Sequence, residues 1–158
     1  IIAEDLGFLT QEVLDLRDNS GWPGMKVLEF AFDSREPSNH LPHTYDPHCV
    51  CYPGTHDNTT VAAWKNEAAA EDVAMAIQYL GLNEEEGFHW GMILGGMRSV
   101  AGLLVVKMQD YLGLGGEARM NFPGTLSSSN WTWRAEEGFA SPELAQRIRT
   151  MTERYGRG

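Results

Sequence analysis

Apolar residues are grouped along this chain in short blocks separated by polar, glycine-rich stretches, and the spacing within each block assigns it to strand or helix. Ile1 to Ala3 is an apolar run that breaks at Glu4-Asp5-Leu6-Gly7, as a buried strand does when it delivers polar groups into a loop. Thr10 is placed to cap a helix with Val13, Leu14 and Leu16 inward, and Asn19-Ser20-Gly21 stops it. Met25 to Phe32, broken only by Lys26 and Glu29, predicts a second buried strand. Cys49 to Tyr52 predicts a third, ending in Gly54-Thr55-His56-Asp57-Asn58. Helices follow over about residues 59–66, 69–80 and 88–101, the second with Val73, Ile77 and Leu80 on one face. Leu103 to Val106 reads as a fourth strand, with a glycine-dense turn after it at Gly113 to Gly116. Ser141 caps a last helix with Pro142 at its first position and Leu144, Ile148, Met151 and Tyr155 as its buried stripe.

Strands apolar on both faces, alternating with helices, predict an α/β fold with a parallel sheet. Four such units amount to half of an eight-stranded barrel, which takes roughly 250 residues. Polar residues gather at the C-terminal ends of the strands, where such barrels build their sites. The 158 residues correspond to one domain by length, and 42% hydrophobic with 22% charged residues is the composition of an ordinary globular chain. No apolar run approaches the length of a membrane-spanning helix. Twelve Lys and Arg against 22 Asp and Glu give a net charge of -10, which repels phosphate backbones and argues against nucleic acid as partner. The chain opens on Ile1-Ile2 without a methionine or a polar leader and reads as part of something longer.

Two strand ends present carboxylates, Glu4 and Asp57, the latter beside His56. Paired carboxylates suit glycosidic chemistry: one protonates the leaving oxygen while negative charge supports an oxocarbenium-like transition state. One loop acid alone would be an unremarkable solvated group, and Glu4-Asp5 also reads as an N-terminal cluster facing the following helix dipole. His40, His43, His48, Cys49 and Cys51 lie close together, but their spacing matches no common zinc pattern, and the two cysteines are poorly spaced for a disulfide. A reducing compartment fits them better. Gly113-Leu114-Gly115-Gly116-Glu117-Ala118 fits G-x-G-x-x-A, yet Asn121-Phe122-Pro123-Gly124 breaks the helix that a dinucleotide site needs.

The blocks I-I-A-E-D-L-G (1–7), P-G-M-K-V-L-E-F-A-F (23–32), H-L-P-H (40–43), G-T-H-D-N (54–58), Q-D (109–110) with L-G-L-G (112–115), E-A-R-M-N (117–121) and N-W-T-W-R (130–134) together resemble the 4-alpha-glucanotransferases, or amylomaltases, in that family's order. The resemblance implies residues 1–158 as the C-terminal half, strands 5 to 8, of a TIM (β/α)8 barrel of the alpha-amylase type. It also implies retaining transfer of alpha-1,4-glucan segments between maltooligosaccharides, with starch- or glycogen-derived glucans as partners and neither metal nor organic cofactor. Carried over residue by residue, Glu4 is the general acid/base, Asp57 the transition-state stabiliser, His56 a ligand of the transferred sugar, Phe30 a neighbour of the acceptor sugar and Asn121 a substrate-side residue.

A raised acid/base pKa needs an apolar or like-charged setting, for which Ala3 and Asp5 are the candidates, and donors from His56 and Asn58 would keep Asp57 ionised. Retaining chemistry also needs a carboxylate nucleophile about 5 Å from the acid/base. The family carries that Asp on the preceding strand, and no residue here matches it, so the 158 residues alone are expected to lack transferase activity. Phe30 reads equally as a core residue, and Trp131 and Trp133 could stack on glucan rings, although core tryptophans are the commoner outcome and both are left outside the site. The rival readings are a non-catalytic alpha-glucan-binding module and an alpha-glucan hydrolase. The expected location is cytoplasmic, or plastidic in a plant, and self-association through open barrel edges is a further expectation.

Overall fold

The computed structural model describes residues 1–158. Its sheet has three strands, β1 (Gly24–Val27), β2 (Cys49–Tyr52) and β3 (Leu103–Leu104), adjacent in that order and all parallel. Gly24 lies opposite Cys49 and Val27 opposite Tyr52, while Val50 faces Leu103. The helices are α1 (Gln11–Ser20), α2 (Val61–Glu67), α3 (Ala70–Leu80), α4 (Phe88–Arg98), α5 (Met108–Tyr111) and α6 (Pro142–Arg154). None is long and apolar enough to cross a membrane. Since the strands run one way, the loops that leave their C-terminal ends converge at one edge of the sheet. Leu28–Phe30, Gly54–Asn58 and Val105–Lys107 are the segments delivered there.

Two apolar clusters hold the layers together. One joins Leu28, Phe32, Cys49, Cys51, Val61 and Met92 between sheet and helices; the other joins Trp90, Ile93, Leu94 and Met97 of α4 to Met151 of α6. Cys49, Val50 and Cys51 are all buried, as expected for a central parallel strand covered on both faces. The predicted cap and stripe of α6 are present: Ser141 Oγ accepts the Leu144 N–H, and Leu144, Ile148 and Tyr155 pack around Met151.

The expected fold class is met in its coarse form, a mixed α/β architecture with parallel strands, and departs from expectation in detail. Three strands form instead of four, because Ile1–Ala3 is not a strand. A single bond ties it to β1, from the Ala3 N–H to the Pro23 carbonyl at 2.9 Å. The next step of the ladder is taken by a side chain, Asp5 Oδ1 accepting the Met25 N–H at 2.6 Å. The strand expected over Met25 to Phe32 stops at Val27 and becomes a 3-10 turn, Leu28–Phe30, whose Glu29 N–H reaches the Pro53 carbonyl at 3.1 Å. A continuous apolar run looks the same whether buried as strand or as tight turn. Helix α1 buries none of its residues, and Leu16 is 71% exposed. Arg17 anchors it instead, through a 2.6 Å ion pair with the buried Asp5. In α3 the buried residue is Ala76, with Ile77 left exposed.

Beneath the converging loops lies a buried charge cluster. Lys107 Nζ donates to the carbonyls of Thr55 (3.0 Å) and Thr59 (2.6 Å), the two ends of the loop that carries His56 and Asp57. Asp110 is fully buried 3.7 Å from that ammonium, and its Oδ1 accepts the Val61 N–H at the start of α2 at 2.9 Å. Glu29 is buried beside them, in space that a side chain at Gly54 would fill. Glu29 Oε1 and Asp110 Oδ2 are left without hydrogen-bond partners. Burial pushes the Asp110 carboxyl up against the pull of Lys107, and it pushes Glu29 up to about 8, with Lys107 opposing and Asp110 adding to the rise.

One ammonium cannot balance two buried carboxylates, so Glu29 keeps its proton through neutral pH. Between the ordinary carboxylate range and pH 8 the unfolded chain releases that proton and the folded one does not; stability therefore falls as pH rises through this window. Glu29→Gln should match the wild type near pH 4.5 and exceed it by about 2 kcal/mol at pH 8 in urea unfolding. Equal slopes of stability against pH in the two proteins would contradict this account of Glu29.

Candidate active site

A cleft of about 1030 Å³ opens at the C-terminal ends of the strands, and Glu4, Phe30, His40, Tyr52, His56, Asp57, Lys107 and Arg119 are among its walls. Four of the five residues singled out from the sequence line it directly: Glu4, Phe30, His56 and Asp57. Asn121, the fifth, donates its amide N–H to Asp57 Oδ1 at 2.7 Å. Residues from both ends of the chain and its middle are thus brought together by the parallel strand order.

The loop bearing His56 and Asp57 is braced from within. Asn58 Oδ1 accepts both the Thr55 N–H (2.9 Å) and the Thr55 hydroxyl (2.8 Å), and Thr55 Oγ1 accepts the Asp57 N–H at 3.3 Å. Asn58 therefore supports the loop and is not the donor to Asp57 that the sequence suggested. The donor is Asn121, and His56 Nε2 lies 3.3 Å from the same Asp57 Oδ1. A second loop is fastened to the first along its backbone. The Asn121 N–H donates to the His56 carbonyl at 3.1 Å, and Arg119 donates to the carbonyls of Asp57 (2.6 Å) and Asn121 (2.9 Å). The guanidinium also lies over the Phe122 ring, 4.4 Å from its centroid.

Glu4 is exposed in the cleft wall, which it shares with Tyr52 at the end of β2. The Tyr52 hydroxyl is pushed up by burial first and by the charge of Glu4 second. Asp5 is not the like-charged companion of Glu4 that the sequence suggested: it turns inward, and its carboxylate is taken up by Arg17 and the Met25 N–H.

Phe30 is exposed in the cleft and is not a core residue; it also borders an adjoining hollow of about 550 Å³ walled by Asp33, Arg35, Asn39 and Trp64. His40 borders both spaces and meets Phe30 edge to face at 5.7 Å. Its Nδ1 accepts the Val27 N–H at 3.1 Å, while burial and then the charge of Lys26 push its pKa down to about 4. The ring is therefore a neutral imidazole with Nε2–H as its free donor.

His40, Lys107 and Arg119 received no role from the sequence reading, although His40 stands in the H-L-P-H block and Arg119 in the E-A-R-M-N block. Lys107 carried no such signal. Trp131 is corrected as well: it is 55% exposed and stacks toward His56 at 5.0 Å instead of entering the core. Cys49 and Cys51 are buried free thiols, and burial pushes both up, Cys51 to about 12.

Acids, a neutral imidazole and exposed aromatic rings around one cleft can protonate an ether oxygen, support positive charge and hold neutral polyhydroxyl rings. Against known proteins, residues 1–140 match the 4-alpha-glucanotransferase family model. A 4-alpha-glucanotransferase of Clostridium butyricum is 48% identical over 158 residues, which cover 99% of this chain and 32% of that protein. A chloroplastic/amyloplastic 4-alpha-glucanotransferase of Solanum tuberosum is 42% identical over 160 residues, 99% of this chain and 28% of that one. The amylomaltase from Streptococcus agalactiae, solved in complex with acarbose, superposes with a TM-score of 0.94 at 31% identity, covering 99% of this chain and 32% of its own. The chain thus spans about a third of the length of its relatives, and over that span sequence and fold agree: it belongs to the 4-alpha-glucanotransferase family.

Proposed function

We propose that these 158 residues form the C-terminal half of a (β/α)8 barrel, strands 5 to 8, in a retaining 4-alpha-glucanotransferase that moves alpha-1,4-glucan segments between maltooligosaccharides. The observation that carries the reading is the convergence of Glu4, Phe30, His56 and Asp57 on one cleft at the strand ends. In this reading Glu4 protonates the glycosidic oxygen as the donor bond breaks, then removes the proton of the acceptor hydroxyl in the second displacement. Asp57, held by Asn121 and His56, supplies negative charge to the oxocarbenium-like sugar. His56 binds the transferred sugar, and Phe30 offers an apolar face to the acceptor. The carboxylate nucleophile comes from outside the 158 residues. The hydrogen bond from Asn121 to Asp57, with His56 Nε2 3.3 Å from the same oxygen, supports its place beside a developing positive charge.

Transfer from maltotriose measured with the 158-residue chain should be undetectable, and it should appear when the preceding half of the barrel is supplied. Turnover by the chain alone would overturn this division of the catalytic residues. Glucan binding without turnover in the completed protein would favour the binding module, and release of glucan to water alone would favour a hydrolase. In the completed protein, Glu4→Gln should lower kcat on maltotriose by about 10³-fold and by much less for the glycosylation step from a donor with an activated phenolate leaving group, which needs no acid. An equal loss on both donors in that step would remove Glu4 from the acid role.

Asn121→Ala takes a charge-assisted hydrogen bond from Asp57 and should lower kcat by roughly tenfold to a hundredfold. Unchanged kcat in that variant would show that Asn121 does not hold the stabilising carboxylate.

A further inference from the structure

Trp131 is the one non-glycine residue of the chain with a left-handed backbone, at φ 65°. A bulky side chain there is strained, and such strain persists only where the surroundings hold it. They do so here. The Trp131 N–H donates to the Met120 carbonyl at 2.8 Å, and the flanking Thr132 hydroxyl donates to the Ser129 carbonyl at 2.7 Å. Asn130 accepts the Phe122 N–H at 3.1 Å and donates to Thr125 at 3.2 Å, closing the loop across its base. The indole is thus presented to solvent by a fixed loop. Glycine would satisfy this backbone without strain, so the reason for a tryptophan lies in the ring itself.

The ring lies beside the site, next to His56 but outside the residues that wall the cleft. Its centroid is 5.0 Å from that of His56 with 37° between the planes, and His56 in turn stands 3.3 Å from Asp57 in the cleft wall. A pyranose in contact with His56 therefore has its neighbour in the chain beside the indole. The C–H face of a pyranose is flat and apolar, and an exposed indole is the side chain best suited to cover it.

We propose that Trp131 is a stacking platform for an alpha-glucan, taking the sugar ring next to the one held by His56 and so favouring longer chains over short ones. The proposal rests on the reading of the cleft as a glucan site. It concerns a residue that touches substrate remote from the reacting bond, so its signature is in binding and chain length.

The test is titration of the protein with maltoheptaose and with maltose, followed by calorimetry and tryptophan fluorescence. Trp131→Ala should weaken maltoheptaose binding about tenfold and leave maltose within about twofold. Trp131→Phe, which keeps a ring, should stay within about threefold of the wild type for both sugars. Trp131→Gly guards against a folding artefact: it suits the left-handed backbone, should unfold at an equal or higher urea concentration, and should bind maltoheptaose as poorly as the alanine variant. Wild-type affinity for maltoheptaose in the glycine or alanine variant overturns the platform while leaving the glucan site standing. Failure of the wild type itself to bind maltoheptaose overturns both.

Discussion

The ammonium of Lys107 is the constraint on which the site depends. A loop that leaves a parallel strand has no ladder to hold it, and the segment from Thr55 to Thr59 must carry two functional side chains in a fixed relation. Lys107 closes it from below by binding the carbonyls at both of its ends. A cation can be kept in that position only if its burial is offset, and Asp110 does this at 3.7 Å while also accepting the first N–H of α2. The same carboxylate therefore sets the start of a helix and pairs with the cation that supports the loop. Glu29 completes the cluster in its protonated form, filling the space left open by Gly54 without adding a second buried negative charge.

On this base the site is assembled by loops fastened to each other. The backbone of Asn121 binds the backbone of His56 while its side chain binds the side chain of Asp57, so a single residue fixes both the distance between two loops and the orientation of the carboxylate. Arg119 repeats the arrangement one step away, through the Asp57 carbonyl. Displacement of either loop would move both, which is how a cleft built from irregular backbone keeps a set geometry.

Much of this was legible in the sequence where chemistry is local. β2 was read at its observed bounds because Cys49 to Tyr52 is short, apolar and bounded by Pro47 and Pro53. The cap of α6 was legible for the same reason, with Ser141 and Pro142 carrying the signal. Failures came where one long-range partner outweighed the local pattern. Asp5 replaced a ladder bond and ended the expected first strand; the Pro53 carbonyl drew the Glu29 N–H and turned an apolar run into a 3-10 turn. Within the site, the five candidates came from motif blocks, four of them lining the cleft and Asn121 bonded to Asp57, whereas Lys107 was invisible. A lysine among Val106 and Met108 has no periodic or motif signature, and its role appears only when two carbonyls some 50 residues away in sequence are brought to it. Trp131 was left outside the site because a core tryptophan is the commoner outcome, and its exposure and backbone conformation mark the exception.

The distribution of charge around the cleft follows from these supports and bears on what it accepts. Lys107 and Arg119 both reach the cleft wall, yet their N–H donors are engaged by backbone carbonyls, and Arg17 is taken up by Asp5 and Asp18. His40, held neutral, brings a donor without a charge. What remains facing the space are the carboxylates of Glu4 and Asp57 amid neutral donors and rings. An anionic ligand would compete with the carboxylates of Glu4 and Asp57 for donors already engaged, and a cation would find no cage of ligands. A neutral polyhydroxyl chain meets neither penalty. The cationic groups that build the site thus spend their donors on holding its loops.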